Sequence, residues 1–176
     1  MISYLDEIVG SLTQKLKEIN QFENTIIMFT SDNGVTYLDQ VDSGFFNSSA
    51  MFSDDNDMVK KSLYEGGIRV PSFVTWPRKI KEGSFSNHIS STQDFYATIL
   101  DLFKIKKPNH ITGLSFLPTL LGKKQNKHEY LYWETNSRQG QQALRMDKWK
   151  AIRRNIANGN KEIELFDLTL DSKDLL

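Results

Sequence analysis

Cysteine is absent from the 176 residues. Its absence removes disulfides, thiolate metal sites and a cysteine nucleophile, and leaves the redox compartment open. Neither sign of charge dominates: 22 basic residues balance 22 acidic ones, so no bulk field draws nucleic acid or a membrane surface to the chain. No apolar stretch approaches the roughly 20 residues of a membrane span. Met1 leads into Ser3, Tyr4, Asp6 and Glu7 rather than a basic segment and an apolar core, so no signal peptide is visible. An exported enzyme needs one, and its absence fits a chain that begins in mid-protein. Histidine is scarce: His88, His110 and His128 stand in separate polar contexts. None has metal-ligand or triad spacing, and each reads as a surface or loop residue.

What is present suits one core with a small appended subdomain. Ile2, Leu5, Ile8, Val9, Leu12, Leu16 and Ile19 recur at helical spacing up to Asn20, which predicts a helix with one apolar face. Thr25–Thr30 is an apolar run of the kind that forms a strand covered on both faces. Ser72–Trp76 reads the same way and is stopped by Pro77. The polar segment between Val35 and Val59 has little periodicity and is long for a compact domain, which points to a functional loop. Ser91-Thr92-Gln93-Asp94 has the form of a capping box opening a helix with Phe95, Ile99, Leu102 and Phe103. Pro118 and Gly122 bracket a short helix.

Beyond about Lys123 the pattern shifts to short strands: Tyr130–Glu134, Ala143–Met146, Trp149–Arg153 and Ile163–Leu168. A hairpin is expected at Asp147-Lys148. The expected fold class is α/β, with a sheet-and-helix layer followed by a small C-terminal antiparallel sheet. The division falls between residues 1–122 and 123–176. Trp76, Trp133 and Trp149 read as core anchors, and Arg153-Arg154 as an exposed basic pair at a strand end.

Two segments carry the chemistry. Asp32 and Asn33 close the first strand ahead of Gly34. They read either as an ordinary turn or as two oxygen ligands for calcium or magnesium at the carboxyl end of a strand. Two ligands are too few, since calcium takes about six to eight oxygens. Lys60-Lys61 reads as a solvated pair, or as one ammonium reaching an anionic group. Glu65-Gly66-Gly67 marks a tight backbone passage, with Arg69 as an ion-pair residue holding that turn.

The order of these segments resembles the sulfatase family within the alkaline-phosphatase superfamily. The matching pieces are Thr30-Ser31-Asp32-Asn33-Gly34, Lys60 ahead of Tyr64-Glu65-Gly66-Gly67-Ile68-Arg69-Val70-Pro71, and Asp94–Leu100. Gly113–Pro118, Arg145–Lys150 and Glu164–Leu168 follow in order. The resemblance implies that Asp32 and Asn33 ligate calcium and that Lys60, rather than Lys61, contacts the sulfate group. It also implies that Glu65, Gly66, Gly67 and Arg69 form the scaffold aiming Lys60. The fold it implies is part of the alkaline-phosphatase-like α/β core over residues 1–122 and a small antiparallel β subdomain over 123–176.

The family's formylglycine nucleophile is made from a Cys/Ser-x-Pro-x-Arg motif. None of Pro71, Pro77, Pro108 and Pro118 sits in that pattern. Two further aspartate ligands and the catalytic histidine belong to the family's N-terminal half. The chain is therefore expected to supply half a calcium site and the sulfate-binding lysine of a sulfatase C-terminal half, and to be inactive alone. The expected partners are a sulfate-ester substrate, such as a sulfated glycan or an aryl sulfate, and the N-terminal half of the enzyme. Family members are often exported, and compartment is left open. Two alternatives are a phosphodiesterase or phosphonate hydrolase of the same superfamily and a non-catalytic remnant that binds sulfated glycans. An uncovered sheet edge or face is expected to cause self-association of the isolated chain.

Overall fold

The computed structural model describes residues 2–36, 52 and 58–171. In chain order its helices and strands are α1 (Ile2–Glu18), β1 (Ile27–Thr30), α2 (Glu65–Ile68), β2 (Ser72–Thr75), α3 (Gln93–Leu102), α4 (Leu117–Leu120), β3 (Leu131–Thr135), β4 (Gln141–Met146), β5 (Trp149–Arg154) and β6 (Glu164–Asp167). They fall into two compact units, Met1–Thr30 with Ser72–Lys127, and Ser31–Pro71 with His128–Leu176. The α/β class expected from the sequence is the class found. Most of the expected Val35–Val59 loop lies outside the described residues.

In the first unit α1 ends as its sequence directs. Asn20 takes a left-handed backbone (φ 56), its N–H bonds the Lys17 carbonyl at 3.0 Å and Gln21 N–H bonds Leu16 at 2.8 Å. That pattern caps the orphan carbonyls of the last turn. None of α1's residues is buried, so its apolar stripe stands in solvent. β1 pairs antiparallel with β2, Phe29 opposite Phe73. The covered sheet expected for these two strands is not found, because neither carries a buried residue. The apolar run is there without the cover that such runs match. β1 also starts later than expected, since Phe22–Asn24 forms a 3-10 turn closed by Thr25 N–H on Phe22.

The capping box is realised through its carboxylate. Asp94 is fully buried, and its side chain accepts from Ser91 N–H at 2.8 Å and Leu114 N–H at 2.7 Å. Thr98 Oγ1 accepts from Phe116 N–H at 3.0 Å. These bonds fasten the Gly113–Phe116 segment along α3. Gly113 is required there, because a Cβ would lie 2.2 Å from the Gln93 carbonyl oxygen.

The second unit is built on an antiparallel sheet in the order β3-β4-β5-β6. Ala143 pairs with Ile152 and Lys150 with Phe166. Leu63, Tyr64, Ala143, Ile152 and Phe166 form the core, with Trp133 and Leu168 packed beside it. The expected hairpin is present, with Asp147 left-handed (φ 51) and Met146 opposite Trp149. Trp149 is a correction: it lies on the outer face, 46% exposed, and carries the Lys148 ammonium over its ring at 4.8 Å. Strand parity explains this, because Trp149 is out of step with the inward Lys150 and Ile152.

Lys148 also bonds Asp167 at 2.7 Å. That hydrogen bond, followed by those from the Thr169 hydroxyl and N–H, lowers the Asp167 pKa from 3.8 to about 2. A carboxyl depressed in the folded state stabilises above its unfolded pKa, and the contribution is lost as pH falls through the folded value. The Asp167 contribution is therefore expected to be complete above about pH 4 and to fade toward pH 2. Urea midpoints measured across this range should slope less for Asp167→Asn than for wild type. Equal slopes would remove Asp167 from the acid response.

Candidate active site

The two sequence segments meet in the second unit. Gly34 N–H bonds the Gly67 carbonyl at 2.8 Å, and Lys60 N–H bonds the Val35 carbonyl at 2.9 Å. The Asp32-Asn33 turn is thus laced by its backbone to both ends of the Lys60–Gly67 segment. The approach is so close that a Cβ on Gly34 would fall 1.8 Å from the Gly66 oxygen, and one on Gly67 would fall 2.3 Å from the Ser62 oxygen. No side chain fits at either point. Gly34→Ala must force the two segments apart and is expected to destabilise by about 1–3 kcal/mol or more. The check is the urea midpoint, and an unchanged value would mean that the contact is slack.

Within the turn, Ser31 Oγ donates to the Asn33 carbonyl at 2.8 Å. The Asn33 amide nitrogen donates to the Gly34 carbonyl at 2.9 Å, and its amide oxygen is the atom of that side chain that could meet a cation. Asp32 is exposed and Asn33 half-buried. A carboxylate and an amide oxygen on adjacent residues are hard donors of the kind calcium takes, so the pair fits part of a calcium sphere. Among the described residues no group of three or more His, Asp or Glu assembles to hold a metal. A cavity of about 360 Å³ lies beside the turn, lined by Ser31, Asn33, Gly34, Gly66, Arg69 and Pro71 among others. Asp32 and Lys60 are not in its lining.

Lys60 is half-buried and precedes Lys61, whose backbone is left-handed (φ 72). Glu65 is buried at 1% exposure and gathers three cations: Lys150 Nζ at 2.9 Å, Arg69 Nη1 at 3.4 Å and Arg145 Nη1 at 3.6 Å. The Arg69 ion pair anticipated from the sequence is present, and Arg69 also stacks its guanidinium over Phe52 at 4.4 Å. Lys150 and Arg145, which face each other across β4 and β5, were not anticipated, nor was buried Gln141. The available signal was parity: Gln141 and Arg145 share the Ala143 face, and Lys150 shares that of Ile152. Arg154 is held by Glu164 at 2.6 Å.

Comparison with known proteins gives two family models and a set of similar proteins. A family model described as Sulfatase matches residues 1–105. One described as N-sulphoglucosamine sulphohydrolase, C-terminal, matches residues 56–176. The chain is 30% identical to the N-acetylgalactosamine-6-sulfatase of Mus musculus over 76% of its own length and 25% of that protein. It is 29% identical to the N-acetylglucosamine-6-O-sulfatase of Bacteroides thetaiotaomicron over 97% of its length and 29% of that protein. It also superposes on a protein solved with its substrate D-glucosamine-2-N,6-O-disulfate (TM-score 0.77, 26% identity, 98% of this chain and 33% of that one). The chain thus spans between a quarter and a third of the length of these curated relatives.

Proposed function

The chain belongs to the sulfatase family of the alkaline-phosphatase superfamily, and from that premise we propose that it furnishes the metal turn and the sulfate-binding lysine of a sulfuric-ester hydrolase. The observation that carries the reading is the pair of backbone bonds, Gly34 to Gly67 and Lys60 to Val35, which puts both segments in one place. In this reading Asp32 and Asn33 ligate calcium through hard oxygens. Bound there, calcium would offset charge on the sulfate oxygens. Lys60 holds the anionic group with its ammonium as negative charge grows in the transition state. Glu65, Gly66, Gly67 and Arg69 keep the lysine segment against the turn.

Formylglycine does not fit within this chain, which offers no cysteine and no Ser-x-Pro-x-Arg. The nucleophile and the remaining calcium ligands come from the N-terminal half of a sulfatase. The exposed stripe of Ile2, Leu5, Ile8 and Leu12 on α1 supports a further piece of protein that covers it. The names of the matched relatives favour sulfated amino sugars over aryl sulfates as substrate.

Two assays test this. The isolated chain is expected to release no sulfate from N-acetylglucosamine 6-sulfate, whereas the native protein, at its natural length, is expected to turn it over faster than a phosphodiester. Faster phosphodiester cleavage would move the protein to a different branch of the superfamily.

A further inference from the structure

Lys61 holds a backbone conformation that L-residues adopt at a cost and that persists only where the surroundings over-determine it. One side chain that holds it comes from 80 positions along the sequence. Gln141 is 1% exposed. Its Nε2 donates to the Lys61 carbonyl at 3.0 Å and its Oε1 accepts from Leu63 N–H at 3.2 Å. The amide thus pairs with the backbone on both sides of Ser62, as a neighbouring strand would. Ser62 N–H closes the same turn on the Val59 carbonyl at 2.9 Å.

Lys60 is therefore framed from both directions. Its own N–H is fixed on Val35, and the residue after it is fixed by Gln141. We propose that Gln141 is a positioning residue for this site: its amide holds the Lys61 turn and so sets the direction in which Lys60 presents its ammonium to the anionic group of the substrate. The proposal rests on the reading of Lys60 given above and goes beyond it by naming what aims that residue. Gln141 touches no reacting atom; it acts through the backbone of Lys61 and Leu63. A purely structural role would weaken the protein whether or not Lys60 were present. A positioning role disappears with Lys60.

The test is a double-mutant cycle in the native protein, reading kcat and KM for N-acetylglucosamine 6-sulfate. Amide hydrogen exchange at Leu63 is read alongside. Gln141→Leu is expected to lower kcat on the order of tenfold to a hundredfold, with KM nearly unchanged, and to speed exchange at Leu63. On a Lys60→Ala background the same substitution is expected to change kcat by less than about twofold, the non-additivity of coupled residues. The full loss repeated on that background would overturn the proposal, as would an unchanged kcat in the presence of Lys60. Gln141→Glu keeps the acceptor for Leu63 N–H and removes the donor to Lys61. It takes the place of Gln141→Leu in the cycle if the leucine variant fails to fold, with the same non-additivity expected. Full turnover by Lys60→Ala alone, or no turnover by the native protein, would sink the reading of Lys60 and the proposal with it. A normal Lys60→Ala loss with an additive Gln141 effect sinks the proposal only.

Discussion

Glu65→Leu is expected to destabilise the native protein by about 3–5 kcal/mol, the loss typical of removing one partner from a buried ion pair. Lys150 is fully buried and Arg145 only 17% exposed, and they lie directly opposite each other on β4 and β5. Like charges in that relation repel across a sheet. The Glu65 carboxylate is what reconciles them, one oxygen on Lys150 and the other on Arg145. Without it two cations face one another at low dielectric. Lys150→Met is expected to cost less, about 1–3 kcal/mol, because the carboxylate keeps Arg145 and Arg69. Arg69 is half-exposed and counts for little of that remainder. Glu65→Leu with Lys150→Met together should regain much of the loss, as apolar replacements of buried pairs often do. Urea midpoints at constant slope report all three. A Glu65→Leu value within about 0.5 kcal/mol of wild type, the range of ordinary surface changes, would mean that the cations are held by other means.

Lys60→Ala is expected to lower kcat/KM for sulfate-ester hydrolysis by the native protein on the order of 10²–10³, the usual effect of deleting one charged or polar group that meets developing transition-state charge. Stability should change little, because Lys60 is half-buried and its bond to the Val35 carbonyl is made by the backbone, which alanine retains. Lys61→Ala serves as the control. The register of the family resemblance gives the anion to Lys60 rather than to Lys61, whose side chain is exposed, and a loss under about tenfold is expected. Equal losses at both positions would make the pair a diffuse positive patch rather than a site with one chosen lysine.

The parts of this arrangement legible in the sequence are those governed by short-range rules. α1 followed from its apolar spacing and from Asn20, and the β4–β5 hairpin from Asp147. The tight passages at Gly34 and Gly67 followed from glycines placed beside polar ligating types. Their meeting, through Gly34 N–H on Gly67, was reachable only through family resemblance, because nothing local to either segment encodes the other. Gln141 and Lys150 were missed for a related reason. In sequence each is a polar residue on a half-polar strand, which normally faces water. Their burial depends on the Leu63 and Glu65 groups that receive them, 78 and 85 positions away. The covered sheet expected around β1 failed in the opposite sense. The apolar run was read correctly, and the cover it calls for is absent from its pairing with β2.

The central claim is that the Asp32-Asn33 turn and the Lys60 segment together form a calcium-dependent sulfate-ester site. It is tested most directly by sulfate release from N-acetylglucosamine 6-sulfate by the native protein, before chelation with EDTA, after it, and after calcium is returned. The account predicts release that is abolished by chelation, restored by calcium, and not restored in the Asp32→Ala variant. Release at an unchanged rate in EDTA, or full restoration in Asp32→Ala, would contradict it.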